Sequence, residues 1–303
     1  MSTSAHIVTT PHGPVEYAES GEGPAVLALH GAMGGLDQGL ILARAAGLTP
    51  GHRAIAPSRP GYLGTPLASG RTPEEQADLY AALLDAAGIR TAAVVAVSGG
   101  GPSALQLALR HPGRCRALVL ISAASSRIDA RPPFAWHVLR LAARWPALLG
   151  AIQRRAARDP DRAASRSIPD AGQRARLLKD PEAWQLMQDL QRSTGDRMAR
   201  RIRGTENDIA TTRGNLELRL EQLAVPVLVI HGTADRMAPF AHGQAVASRA
   251  PGAELLAIDG GEHACLFTHL AEIRARIASF LAVHPEAATA GAPFEAASEA
   301  CTR

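Results

Sequence analysis

Aromatic residues are scarce in this chain. Phe, Trp and Tyr together make up 4% of its 303 residues, so a core drawn from the 46% hydrophobic content relies on Ala, Leu, Val and Ile. Cysteine is nearly absent, and Cys115, Cys265 and Cys301 lie far apart. An odd count without ligand spacing excludes a disulfide framework and a cysteine metal site, and reads as free thiols of a reducing compartment. No apolar run approaches the roughly 20 residues that span a bilayer. Residues 1–6 carry neither the basic nor the apolar segment of a secretory signal. The expected location is cytoplasmic, without stable membrane insertion. Lysine occurs once, at Lys179, among 32 basic residues, a bias that reads as genome composition. The arginines come without aromatic interleaving, so nucleic acid is not an expected partner. No metal or other cofactor is expected.

What is present is a large and unevenly charged α/β chain. Net charge is +4, but residues 127–222 carry +7 and the remainder −3. Strand-like runs occur at 15–18, 25–30, 53–56, 91–97, 117–122, 227–231 and 254–258. Helical patterns fall between them at 73–87, 102–111, 241–250 and 263–284. Such alternation predicts a mostly parallel sheet built by right-handed crossovers, with the first two extended segments as an antiparallel edge. From about 126 to 221 the alternation stops, in favour of Arg, Ala, Asp and Leu at helical spacing. The expected domains are therefore a core of 1–125 and 222–284, a helical cap of 126–221 inserted between core strands, and a disordered tail over 285–303.

The most informative stretch is Ala96-Val97-Ser98-Gly99-Gly100-Gly101, directly after an apolar run and directly before a helical pattern. Strand, serine at a sharp turn, helix is the context of a nucleophile elbow. The positions two before and two after the serine must be small, as Ala96 and Gly100 are. Alone, the stretch also fits a glycine-rich turn holding a phosphate at a helix N-terminus. Three further segments follow apolar strands. Leu29-His30-Gly31-Ala32-Met33-Gly34-Gly35 can turn backbone N–H groups toward a bound oxygen. Val229-Ile230-His231-Gly232-Thr233-Ala234-Asp235 ends in a carboxylate, and Asp259-Gly260-Gly261-Glu262-His263 ends in an imidazole. In parallel sheets the carboxyl ends of strands form the ligand crevice, which puts Ser98, Asp235 and His263 on one rim.

On these motifs the chain resembles the α/β-hydrolase fold family, of the type with a helical cap, over roughly residues 6–284. The order Ser…Asp…His is that family's order. His30–Gly35 is similar to its oxyanion loop, and Pro57-Ser58-Arg59-Pro60-Gly61-Tyr62 resembles the segment after its fourth strand. Two departures stand out: Ala96 replaces the first elbow glycine, and Ser58 stands where many relatives carry aspartate. A serine nucleophile argues against dehalogenase and epoxide-hydrolase chemistry, which related enzymes perform with aspartate.

The roles follow from chemistry. Ser98 attacks only if a base takes its proton, and His263 is that base. Asp235 orients the imidazole and stabilises its cation, while the Ala32 and Gly99 N–H groups are the candidate oxyanion donors. Met33, Trp136 and Leu139 are candidate walls of the substrate pocket; Trp136, Leu139 and Ala143 share one face of an amphipathic segment. Rival readings accompany several residues. Asp235 could cap a helix, leaving Asp129 as the acid, and His263 could cap its own helix. His30 and His231 read as structural, His111 as a helix terminus and Cys265 as packed in the core. Arg59 suits solvent and pocket equally.

The expected activity is hydrolysis of a carboxylic ester or related acyl compound through an acyl-enzyme, with a small acyl molecule as partner. Cofactor-free haloperoxidase or perhydrolase, C–C hydrolase and acyltransferase chemistry on the same triad remain open. So do a non-catalytic ligand-binding module and a homodimer.

Overall fold

A computed structural model describes residues 4–128, 134–145, 165, 167–214 and 216–285. Eight strands form one sheet: β1 Ala5–Thr10, β2 Gly13–Ser20, β3 Ala25–Leu29, β4 Arg53–Pro57, β5 Ala92–Val97, β6 Cys115–Ile121, β7 Val227–Gly232 and β8 Glu254–Ile258. Their spatial order is β1-β2-β4-β3-β5-β6-β7-β8. β1 and β2 run antiparallel, and β2 is antiparallel to β4. All pairs from β4 to β8 are parallel.

The antiparallel edge differs from the sequence expectation. Segment 15–18 does lie there, but its outer partner is Ala5–Thr10, and segment 25–30 is an interior parallel strand. β1 escapes a hydrophobicity reading because it is mostly exposed and carries polar residues. As an edge strand it is held by ladder hydrogen bonds to β2 more than by burial.

Side chains alternate across the parallel strands as a two-fold pleat requires. On β5, Ala92, Val94 and Ala96 join the core on one face, while Ala93 and Val95 join the core on the other. The first face is covered by α2 Pro73–Ala86 and α3 Gly101–Arg110. Local chemistry fixes α2: Thr72 and Glu75 form a reciprocal capping box, Pro73 opens the first turn, and Gly88 at φ +67° follows the end. The opposite face is covered by α1 Leu36–Ala45 and, at the end of the chain, by α10 Leu270–Ala282.

The span 263–284, expected as one helix, is two. α9 Cys265–Thr268 ends at His269, which leaves helical geometry at φ −130°, ψ 40° before α10 begins. Between β6 and β7 the described residues are helical: α4 Phe134–Ala142, α5 Ala171–Lys179, α6 Pro181–Gly195 and α7 Ile202–Arg213. Asp180 caps α6 by accepting from Glu182 and Ala183 N–H. Ile168, Leu177, Ala183, Leu186 and Met187 are buried in the same apolar cluster as β6 and α10, so this segment is packed into the molecule rather than tethered to it. α8 Ala241–Arg249 links β7 to β8. Asp129 and, apart from Pro285, the expected tail of 285–303 lie outside the described residues.

Chain order places β4 on one side of β3 and β5 on the other. The crevice of a parallel sheet opens at such a reversal, at the carboxyl ends of the strands. The loop after β3 and the turn after β5 meet there.

Candidate active site

Ser98 follows β5 at φ +53°, in the left-handed region that a non-glycine residue occupies only under constraint. The constraint is close packing. A Cβ on Gly100 would sit 2.8 Å from the carbonyl oxygens of both Leu29 and His30, and one on Gly101 would lie 2.4 Å from the Ala124 carbonyl. Ala96 is fully buried at the strand end, so the elbow closes with alanine where the family pattern has glycine. Ser98 therefore turns its hydroxyl out of the sheet.

Of the three residues singled out from sequence, His263 lies within hydrogen-bonding distance of both of the others. Ser98 Oγ lies 3.0 Å from His263 Nε2, and His263 Nδ1 lies 2.8 Å from Asp235 Oδ2. His263 precedes α9, whose cap position is Ala264, so it does not cap that helix. Asp235 does two jobs at once. Its Oδ1 accepts from Met237 and Ala238 N–H at 2.8 and 3.0 Å, which fixes the turn, and its Oδ2 faces the His263 imidazole, with His231 Nε2 3.4 Å from the same oxygen. Burial alone would raise the Asp235 pKa. Hydrogen bonds from His231 and His263, the histidine charge and the Ala238 N–H outweigh it and hold the carboxyl below its ordinary range.

The other histidines at strand and helix ends, His30, His231 and His111, have structural partners. His30 Nε2 accepts from Arg59 N–H at 3.0 Å and its Nδ1 donates to the Gly31 carbonyl at 2.7 Å. The first bond needs an unprotonated Nε2, and burial followed by the Arg59 charge pushes the His30 pKa well down against the opposing Gly31 hydrogen bond. His231 Nε2 donates to the Ala238 carbonyl at 2.8 Å. His111 ends α3 and meets Asp78 at 2.7 Å. Cys265 is buried beside Ser122, and burial lifts its thiol to about 11.

The loop after β3 runs alongside the elbow. A Cβ on Gly31 would lie 3.0 Å from Ser98 Cβ, and one on Gly99 would lie 3.5 Å from Ala32 N. Ala32 is exposed to this space. Met33 is half-buried on the same loop, at φ +58°. Trp136 and Leu139 are half-buried on α4. Their neighbours His137, Arg140, Leu141 and Arg144 face Ile202 and Arg203 of α7 across a groove of about 640 Å³.

Arg59, ambiguous in sequence, is 1% exposed and ion-paired with Asp208 of α7. Its Nη1 donates to Asp208 Oδ1 at 2.9 Å, and Tyr62 Oη donates to Asp208 Oδ2 at 2.5 Å. This cluster abuts the elbow, since a Cβ on Gly99 would come within 3.0 Å of Asp208 Oδ2. Asp208 carries no local signal: in an arginine-rich helix its carboxylate reads as a solvated surface charge. A fainter hint lies in Gly61 and Gly204, which let α7 pass against the loop. A Cβ on Gly204 would lie 2.3 Å from the Tyr62 ring. Among the described residues no group of three His, Cys, Asp or Glu side chains is placed to hold a metal ion.

The model of the alpha/beta hydrolase fold matches residues 24–270. A solved alpha/beta hydrolase fold protein from Nakamurella multipartita is 36% identical, with a TM-score of 0.80, over 92% of this chain and 99% of that one. Among curated proteins, an uncharacterized hydrolase of Bacillus subtilis (strain 168), YcgS, is 26% identical over 87% of this chain and 93% of its own length. The pimeloyl-[acyl-carrier protein] methyl ester esterase of Aromatoleum aromaticum is 31% identical over 81% of this chain and 93% of its own. With eight strands in this order and a match across most of its length, the chain belongs to the alpha/beta hydrolase fold family.

Proposed function

We propose that this hydrolase cleaves a carboxylic ester or a related acyl compound through an acyl-enzyme on Ser98. The observation that carries the reading is the pair of contacts from Ser98 Oγ to His263 Nε2 and from His263 Nδ1 to Asp235 Oδ2. As Oγ attacks the acyl carbon, His263 takes the hydroxyl proton, and the ionised Asp235 carboxylate stabilises the resulting imidazolium. The Ala32 and Gly99 N–H groups receive the tetrahedral oxyanion. His263 then hands the proton to the departing alcohol. In the second half it accepts a proton from water, whose oxygen attacks the acyl carbon, and it returns that proton to Ser98 Oγ as the acyl–oxygen bond breaks and the acid departs. A curated relative named as a methyl ester esterase supports an acyl ester as substrate.

Residues 126–221 form a cap over this site in the same reading, with Met33, Trp136 and Leu139 walling an apolar acyl pocket. Their half-burial suits such a wall. The +7 balance of the cap would favour substrates carrying negative charge. Cytoplasmic location remains our expectation. Among the described residues no helix is long and apolar enough to cross a membrane.

The test is turnover of a panel of acyl esters of graded chain length by wild type, Ser98→Ala, Trp136→Ala and Leu139→Ala. Ser98→Ala should lose about 10³-fold or more in kcat while keeping the wild-type Tm. Near-wild-type turnover in that variant overturns the serine mechanism. An unchanged chain-length preference in both cap variants overturns the pocket wall. Including hydrogen peroxide or an amine acceptor in the same assays would expose a preference for perhydrolysis or acyl transfer.

A further inference from the structure

Met33 poses a question that the triad does not answer. It sits in the left-handed region without being glycine, one residue after Ala32, in a loop whose glycines Gly31, Gly34 and Gly35 allow close approach of Ser98, His30 and Leu63. Such a conformation costs about 1 kcal/mol or more and persists only when its surroundings hold it. The core supplies part of the hold: Gln38 Nε2 of α1 donates to the Met33 carbonyl at 3.2 Å. The segment between β6 and β7 supplies the rest. Thr205 Oγ1 accepts the Met33 N–H at 3.0 Å, and the same hydroxyl donates to the Arg201 carbonyl at 2.9 Å, one helical turn back. Thr194 Oγ1 accepts the second hydrogen bond of Gln38 Nε2, at 2.9 Å. Arg201 is fully buried, and its Nη1 and Nη2 grip Asp37 at the start of α1 at 3.1 and 2.6 Å. Burial would raise the Asp37 pKa, but this guanidinium holds it below the ordinary range.

Residues 201, 205 and 208 follow helical spacing and fall on one face. Arg201, at the cap position of α7, meets α1, while Thr205 and Asp208 within α7 meet the Met33 peptide and Arg59, so this end and edge of the helix are tied to both loops that border Ser98.

We infer that Thr205 is a positioning residue for the oxyanion loop: through the Met33 N–H it sets the peptide that follows Ala32, making the working shape of the loop depend on α7 being seated. Seating of α7 and assembly of the oxyanion site are then one event. This inference rests on the reading of Ala32 N–H as an oxyanion donor.

The experiment compares wild type, Thr205→Val, Thr205→Ser and Gln38→Met, with Ser98→Ala as control. The readouts are kcat and KM for one ester, Ki for a trifluoromethyl ketone, and Tm. A trifluoromethyl ketone forms a tetrahedral adduct on the serine and so reports on the oxyanion site rather than on ground-state binding. Thr205→Val keeps the side-chain shape and removes the acceptor. It should lower kcat by roughly tenfold, less than the 10²–10³ lost when an oxyanion donor itself is removed. Ki should rise by the same factor while KM stays within about twofold. Thr205→Ser should restore kcat and Ki. If Thr205→Val does not fold, Gln38→Met, which cuts the ties to both Met33 and Thr194, should show the same split. Unchanged kcat and Ki in folded Thr205→Val, or a serine variant as impaired as the valine one, overturns the positioning role. Activity surviving in Ser98→Ala overturns the underlying mechanism instead.

Discussion

Asp235 shows how one side chain satisfies two readings that look exclusive in sequence. One carboxylate oxygen fixes the turn 235–238 and the other faces His263, so a turn-fixing contact and a contact with the imidazole coexist in it. Asp235→Asn should lose several orders of magnitude in kcat, because the amide no longer stabilises an imidazolium. Its stability profile has a definite sign. The Asp235 pKa is lowered in the folded state, so its contribution is fully present above the ordinary carboxylate value and drains as pH falls through the folded value. The Tm gap between wild type and Asp235→Asn should therefore narrow as pH drops below about 4; a gap that widens in acid contradicts the assignment. At the elbow, Gly100→Ala should cost about 1–3 kcal/mol in urea unfolding, since two backbone carbonyls stand where the methyl would go. Ser98, Asp235 and His263 were readable from sequence because each closes a short apolar strand with its own turn chemistry. Arg59 was not readable, because its environment is made by Asp208, 149 positions away.

Among elements, α7 matters most to the site and announces itself least. Its arginines and acids look like a solvated face, yet Arg201, Thr205 and Asp208 are buried against the loops after β3 and β4. Asp208→Ala leaves the Arg59 guanidinium buried without its carboxylate and should destabilise the fold by about 3–5 kcal/mol. Arg59→Met combined with Asp208→Leu removes both charges and should recover most of that loss. Chemical denaturation of the single and double variants decides the matter, and a double variant no more stable than Asp208→Ala contradicts a buried charge as the cause. Elements that bury a continuous apolar face, such as β3, β5 and β6, were legible to within a residue or two at their ends. β1 and α1 were not. The first is stabilised by ladder hydrogen bonds at an exposed edge, and the second begins after two glycines with no side-chain cap. The break at His269 is likewise invisible to periodicity, because the apolar spacing continues through it.

At the scale of the molecule, the parallel sheet gathers chemistry from three distant stretches of chain. β5 delivers Ser98, β7 delivers Asp235, and the loop after β8 delivers His263, all at the carboxyl ends of strands next to the crevice beside β3. Between β6 and β7 the described residues pack apolar side chains into one face of the core, and Thr205 and Asp208 of α7 bond to the Met33 N–H and to Arg59. The most direct test of the account is intact-mass analysis after exposure to a fluorophosphonate, followed by peptide mapping of the adduct. The account predicts one phosphonyl group per chain, on Ser98, and almost none in His263→Ala at equal exposure. An adduct on another residue, or labelling of Ser98 that is indifferent to His263, would contradict it.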